Sequence, residues 1–353
     1  MNIHQILAGF ADGDAMSGEA IQLRQILRSW GCESNIYCDP AMVSPSLYDE
    51  CFPLKEYSAA ANDVCLHHYG INSPSTDIFL GSPSKKIIIY HNITPEEYFS
   101  GFDDAVAKQL KAGRSRLRDI CRYVDGVWTV SHFNASELKA LGIDNVHVFP
   151  LLFTPSVLDL CPEPLIINKF SDKLKNILFV GRIVPNKRIE DLIMAFAWFN
   201  KTINPFSRLL IVGSNRSSKR YYAMLRMLAG DFDLSNVCFE GFASAAGLAA
   251  YYRVADAYVC PSVHEGYCLP LIEAMHADVP VIARVAGGMP EAMDGAGVMY
   301  AGLDEVELAE LINKILTNKE LNRKILASQR ERMKRLQTKE PSTELKQLLA
   351  PWL

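Results

Sequence analysis

Apolar runs of strand length alternate with helix-patterned segments along most of this chain, and that alternation restricts its fold more than any other feature. Ile3 to Ala8 precedes helical spacing from about Gly18 to Trp30. Ser34 to Cys38, Val64 to His67, Lys86 to Tyr90, Gly126 to Val130 and Val146 to Phe149 continue the strand pattern. Strands resume at Ile177, Leu209, Val237, Tyr258 and Val281, each followed by a helix. Runs so continuously apolar suit parallel strands covered on both faces. Between Pro150 and Ser171 the periodicity fails around Pro155, Pro162 and Pro164, so this stretch reads as a linker. The 353 residues suffice for two domains of ordinary size, each with its own core. The expectation is an α/β architecture of two Rossmann-like domains facing across a cleft, residues 1–160 and 161–338, with a terminal helix over 339–353.

Composition narrows the class. Charged residues make up 22% and the net charge is -4, so no global field draws the chain to nucleic acid. Nine cysteines without a Cys-x-x-Cys pair are neither a disulfide framework nor a zinc site, and they point to a reducing, cytoplasmic setting. The start, Met1 to Ala8, lacks the basic region of a signal peptide, and no window has the apolar length of a membrane span.

Two segments carry the chemistry. In Ile177-Leu-Phe-Val-Gly181-Arg182-Ile-Val-Pro-Asn-Lys187-Arg188, an apolar strand ends in Gly181 and Arg182, and helical spacing starts near Arg188. Arg182 and Lys187 thus flank a loop at the carboxyl end of a strand, where open α/β sheets bind ligands. A planar guanidinium and a mobile ammonium suit a diphosphate, whose charge must be held and then stabilised as it leaves. In Pro261-Ser-Val-His-Glu265-Gly-Tyr-Cys-Leu-Pro-Leu-Ile-Glu273, two carboxylates stand eight positions apart across a strand-to-helix turn. Gly266 is read where the helix begins, a place at which unpaired N–H groups seat a phosphate. Glu265 and Glu273 then hold different parts of one elongated ligand by accepting hydrogen bonds from sugar or ribose hydroxyls. Taken alone, the same two residues fit a loop-surface charge and a solvated helix residue equally well. The upstream basic loop decides for a sugar-nucleotide site.

Together the two segments resemble signatures of the retaining GT-B glycosyltransferases of family 4: strand-Gly-Arg-x4-Lys followed by Gly or Arg, and Glu-Gly-Phe-Gly-x-Pro-x2-Glu. The chain departs at Tyr267 and Cys268, where the family often has Phe and Gly, and Cys268 narrows the room beside the donor. Pro280 to Glu291, with Gly287 and Gly288, also resembles the family's strand, turn and Gly-rich loop. The resemblance implies a GT-B fold whose last helix returns to the N-terminal domain, with Leu345, Leu348, Leu349 and Trp352 as the docking residues. It implies that Arg182 and Lys187 stabilise the departing diphosphate, Glu265 orients the sugar and Glu273 the ribose. Gly181, Gly266, Tyr267, Cys268 and Leu269 would line the donor, and the loops at Gly213-Ser214 and Gly241-Phe242 would read the base. His91, which ends the strand Ile87 to Tyr90, is assigned to the transferred hexose. Gly13, in the small loop from Phe10 to Gly18, is assigned to close backbone approach.

The implied reaction is retaining transfer of a hexose from a nucleoside diphosphate sugar to a hydroxyl of a growing, lipid-linked, bacterial-type polysaccharide, with GDP-mannose favoured over a UDP-hexose. A leaving-group oxygen takes the acceptor proton, so neither metal nor other cofactor is expected. A sugar-nucleotide epimerase and a non-catalytic nucleotide-sugar-binding module are the alternatives. Asp12-Gly-Asp14 and Asp231-Phe-Asp233 match a three-residue metal motif of another glycosyltransferase fold and are discounted. Lys108, Lys111, Arg114, Arg116, Arg118 and Arg122, with Leu110, Leu117 and Ile120 interleaved, make a basic amphipathic helix. It fits peripheral contact with the inner face of a membrane and a plain solvated face equally well.

Overall fold

The computed structural model describes residues 2–153 and 158–352. They form two compact units, one of Met1–Glu97, Ala105–Leu152 and Glu340–Leu353, the other of Tyr98–Asp104 and Phe153–Lys339.

The first unit is built on a parallel sheet. Its strands are β1 (Ile3–Leu7), β2 (Ile36–Cys38), β3 (Phe52–Pro53), β4 (Val64–Tyr69), β5 (Lys85–Tyr90), β6 (Gly126–Thr129) and β7 (His147–Val148). Their order is β3-β2-β1-β4-β5-β6-β7. Ile87, Ile88 and Ile89 are fully buried because both faces of β5 are covered, which is why alternation is absent there. The helix Ala15–Ser29 starts where Asp14 accepts from the Ser17 N–H at 3.1 Å. It buries Ala20, Leu23 and Leu27, and it ends before Gly31, whose φ of 82° suits only glycine well. The C-terminal helix Pro341–Leu349 belongs to this unit, as expected. Leu345 and Leu349 are fully buried, each contributing roughly 1.5–3 kcal/mol. Trp352 lies over Gly126, where a Cβ would stand 2.8 Å from the indole, so β6 needs glycine at that position.

The second unit carries β8 (Lys175–Val180), β9 (Ser207–Val212), β10 (Val237–Gly241), β11 (Ala257–Cys260), β12 (Val281–Arg284) and β13 (Val298–Tyr300) in the order β10-β9-β8-β11-β12-β13, all parallel. Phe179, Ile189, Leu192, Phe196, Ile211 and Val259 anchor its core. Phe52–Pro53 and Val298–Tyr300 were not foreseen as strands, being edge strands of two and three residues, too short to show a period. The stretch read as a linker holds a helix, Pro164–Phe170. Proline sits in its first turn, where the missing N–H has no partner to lose, so a residue that reads as a breaker here opens a helix. Pro155 lies outside the described residues.

Candidate functional site

In the second unit β8 and β11 are neighbours although β9 and β10 separate them in sequence. Such a reversal leaves a crevice beyond the strands' carboxyl ends. Arg182 and Lys187 follow β8 and Glu265 follows β11, so both signature loops open on that crevice. Lys187 ends the short turn Pro185–Lys187, and Arg188 then takes a left-handed φ of 51° before the helix Ile189–Trp198. The Lys187 Nζ lies 2.5 Å from Glu265 Oε1, with the two side chains 13% and 11% exposed. Burial alone would lower the Lys187 ammonium, but Glu265 and the Cys268 and Cys260 sulfurs more than offset it and hold it above its ordinary value. Asn186 fastens the two loops. Its Nδ2 donates to the His264 carbonyl at 2.9 Å, and its own carbonyl accepts from the Val263 N–H at 3.0 Å. Arg182 is exposed.

Two glycines make the crevice possible. A Cβ on Gly287 would stand 2.1 Å from the Glu265 carbonyl oxygen, which accepts from the Gly288 N–H at 2.8 Å. A Cβ on Gly213 would stand 1.8 Å from the Gly181 carbonyl oxygen, and the Gly213 N–H donates to the Gly241 carbonyl at 2.7 Å. The ends of β8, β9 and β10 thus interlock at Gly181, Gly213 and Gly241, with Phe242 exposed just beyond. Sequence reasoning placed Gly287 in a loop without giving it a role, and the Gly287-Gly288 pair was the signal.

The helix after the loop is Leu269–His276, capped by Cys268 at φ 78°. Gly266 therefore lies ahead of the first turn rather than in it, and the unpaired N–H groups belong to the residues after Cys268. Cys268 and Cys260 sulfurs are 3.9 Å apart, and the contact, aided by burial, pushes the Cys268 thiol well up. Glu273 Oε2 accepts from the Tyr252 hydroxyl at 2.8 Å, and burial raises its carboxyl above the ordinary range. Tyr267 is buried beside Arg332, and Leu269 is half-buried.

Gly13 and His91 belong to the first unit. Gly13 has φ 69° in the turn before the first helix, and its two neighbours part ways: Asp14 caps the helix while Asp12 accepts from Ser46. His91 lies with its Nε2 2.9 Å from His68 Nδ1 and 3.2 Å from Glu19 Oε2. Burial, helped by the neighbouring imidazoles of His68 and His67, lowers His91 well below the usual histidine range. His67, by contrast, is tied into the core between the Ile6 carbonyl and the Thr76 hydroxyl. Glu19 was not singled out from sequence, since it stands in no motif and lies far from His68 and His91 along the chain.

Two of the six basic side chains of the helix are committed internally. In Asp104–Arg122, Arg114 donates to the Ile93 carbonyl at 2.6 Å and Arg116 to Asn72 at 2.8 Å, leaving Lys108, Lys111, Arg118 and Arg122 exposed. Among the described residues no helix is long and apolar enough to cross a membrane.

Residues 166–332 match the family Glycosyl transferases group 1. A D-inositol 3-phosphate glycosyltransferase of Frankia alni is 35% identical over 147 residues, covering 40% of this chain and 36% of that protein. A GDP-mannose-dependent monoacylated alpha-(1-6)-phosphatidylinositol monomannoside mannosyltransferase of Corynebacterium glutamicum is 34% identical over 231 residues, 59% of this chain and 57% of that protein. The chain thus spans between about a third and somewhat over half of these relatives' lengths. Sucrose-phosphate synthase from Thermosynechococcus elongatus shares the fold at a TM-score of 0.77 and 19% identity, over 99% of both chains. Anabaena HepE in complex with UDP-glucose does so at 0.76 and 17%, again over 99% of both. The likeness to these structures is one of fold: α/β, of the GT-B kind, with two Rossmann-like units.

Proposed function

We propose, from a chain whose residues 166–332 match the family Glycosyl transferases group 1, that the protein moves a hexose from a nucleoside diphosphate sugar to a hydroxyl of a growing glycan, with retention at the anomeric carbon. The observation that carries the reading is the Lys187–Glu265 pair at the sheet's reversal, with exposed Arg182 one residue past Gly181. Arg182 and Lys187 stabilise the departing diphosphate, aided by the N–H groups that follow Cys268. Glu265, held by Lys187 below and by Gly288 along its main chain, presents acceptor oxygens to sugar hydroxyls. Glu273 keeps Oε1 for a ribose hydroxyl while Oε2 is fixed by Tyr252. His91 meets the transferred hexose, as the family resemblance implies. Arg182, Lys187 shared with Glu265, and the N–H groups after Cys268 together meet the diphosphate charge without a metal in this reading, and the leaving group's own oxygen takes the acceptor proton.

GDP-mannose is the preferred donor, a choice supported by the Corynebacterium glutamicum relative, which is described as GDP-mannose-dependent. A UDP-hexose is second, supported by the Anabaena complex. The same Corynebacterium relative, described as acting on a monoacylated phosphatidylinositol monomannoside, favours a lipid-linked saccharide acceptor here. Lys108, Lys111, Arg118 and Arg122 are the exposed cations that would hold the chain at an anionic lipid surface.

Arg182→Ala should lower transfer by about 10²–10³ with an unchanged circular dichroism spectrum. Full activity would refute the assigned role. A panel of nucleotide sugars should raise the melting temperature selectively, with about 2.7 kcal/mol of stabilisation at a hundredfold excess over Kd. Conversion of the nucleotide sugar without an acceptor would instead identify an epimerase.

A further inference from the structure

The strand order of the first unit also reverses, between β1 and β4, so its carboxyl-end crevice is a second place where a ligand belongs. Three groups from three elements converge there. His68 comes from β4, His91 follows β5 and Glu19 stands on the helix Ala15–Ser29. His91 Nε2 is 2.9 Å from His68 Nδ1 and 3.2 Å from Glu19 Oε2, and the third side, Glu19 Oε2 to His68 Nδ1, is 3.6 Å. The Glu19 side chain is 1% exposed, and neither of its oxygens has a hydrogen-bond partner. Its ion-pair contacts among the described residues are these two imidazoles. Burial raises the Glu19 carboxyl above its ordinary range, so the group must either take a proton or have positive charge beside it.

The tautomer of His68 follows from its neighbour. Gln5 Nε2 donates to the Ala20 carbonyl at 2.9 Å, so the Gln5 atom 2.9 Å from His68 Nε2 is the amide oxygen, which accepts. His68 therefore carries its proton on Nε2 and turns the bare Nδ1 lone pair to Glu19 and His91. An outer hydrogen bond of this kind is what orients a metal-binding histidine. A circle through the three facing atoms has a radius of about 1.9 Å, slightly less than the zinc–nitrogen bond of roughly 2.0–2.1 Å. An ion just above their plane meets all three and keeps a further position for water or an oxygen ligand.

We propose that Glu19, His68 and His91 form a binding site for one divalent cation of the zinc class, with Gln5 orienting His68. Without the ion, a proton on His91 Nε2 bridges to His68 Nδ1. With it, that proton resides on His91 Nδ1 and Nε2 becomes a ligand. Cys260, Glu265 and Cys268 also lie within reach of one another, but there the Lys187 ammonium already supplies the positive charge. The inference stands apart from the roles given to Arg182, Lys187 and Glu265, and it leaves His91 its main chain for a sugar.

The test uses the untagged full chain, stripped with chelator and titrated with zinc and with cobalt. About one equivalent of zinc should remain after gel filtration, and cobalt should give the visible absorption of a tetrahedral nitrogen and oxygen site. Glu19→Gln should lose binding by more than a hundredfold, and Gln5→Ala should weaken it by about 10–100-fold. Arg182→Ala should bind cobalt as the native chain does, so a failure of the transfer reading leaves this one untouched. Wild-type chain that retains no zinc and gives no cobalt spectrum overturns the proposal, whether or not the variants fold. So does an intense thiolate-to-cobalt band, which would put the ion at Cys260 and Cys268, or equal binding by Glu19→Gln.

Discussion

Glu265 and Glu19 are buried carboxylates at matching places, each where its own sheet reverses direction, yet they are held in opposite ways. Glu265 faces the Lys187 ammonium at 2.5 Å, whereas Glu19 faces two imidazoles and has no hydrogen-bond partner for either oxygen. Glu273 falls between them, with a single hydroxyl from Tyr252. The Glu265 side chain is 11% exposed and that of Glu19 1%, and beyond this difference the nearby charge decides what each acid is prepared to meet. A carboxylate already neutralised offers directional acceptors to a neutral sugar, and one left uncompensated draws a cation.

The sharpest way to break this contrast is Lys187→Met, which turns Glu265 into a second Glu19. It should cost about 3–5 kcal/mol in urea unfolding, because it strands a buried charge. Lys187→Met/Glu265→Gln should regain most of that stability without regaining transfer. Equal stabilities in the single and double variants would mean that the two acids do not differ as described. A middling effect is expected from Gly287→Ala. Its Cβ, 2.1 Å from the Glu265 carbonyl oxygen, must push that main chain aside, at a cost of about 1–3 kcal/mol with a fall in donor affinity. Gly31→Ala, also at positive φ but with nothing within 4 Å, is the control and should cost only about 1 kcal/mol with donor affinity unchanged.

The smallest effect concerns Glu273. Burial raises its carboxyl, so the neutral acid favours the native state at low pH and that advantage is lost as the pH climbs from the ordinary glutamate range through the raised value. Across that window the melting temperature of Glu273→Gln should gain steadily on the wild type. A difference that stays constant with pH would mean that Tyr252 compensates the charge completely.

Much of this was readable before any coordinates. Continuous apolar runs such as Ile87 to Ile89 announce buried parallel strands, and the Gly181-Arg182 and Glu265 to Glu273 motifs fall at strand ends that the sheet rule selects. What sequence cannot supply is the meeting of distant residues. Glu19, His68 and His91 are brought together by strand order, and no local period encodes that order. The left-handed Cys268 was equally hidden, since its φ of 78° belongs to a residue type that rarely adopts it. Pro164 misled for the opposite reason, a strong local signal with two structural meanings.

The return of Pro341–Leu349 to the first unit has a consequence for how the protein is made. The stretch that covers Gly126 and Trp128 emerges from the ribosome only after the whole of Phe153–Lys339, an interval of roughly 10–40 s at ordinary elongation rates. During that interval Gly126 and Trp128 lack the cover that the Trp352 indole gives them in the finished fold.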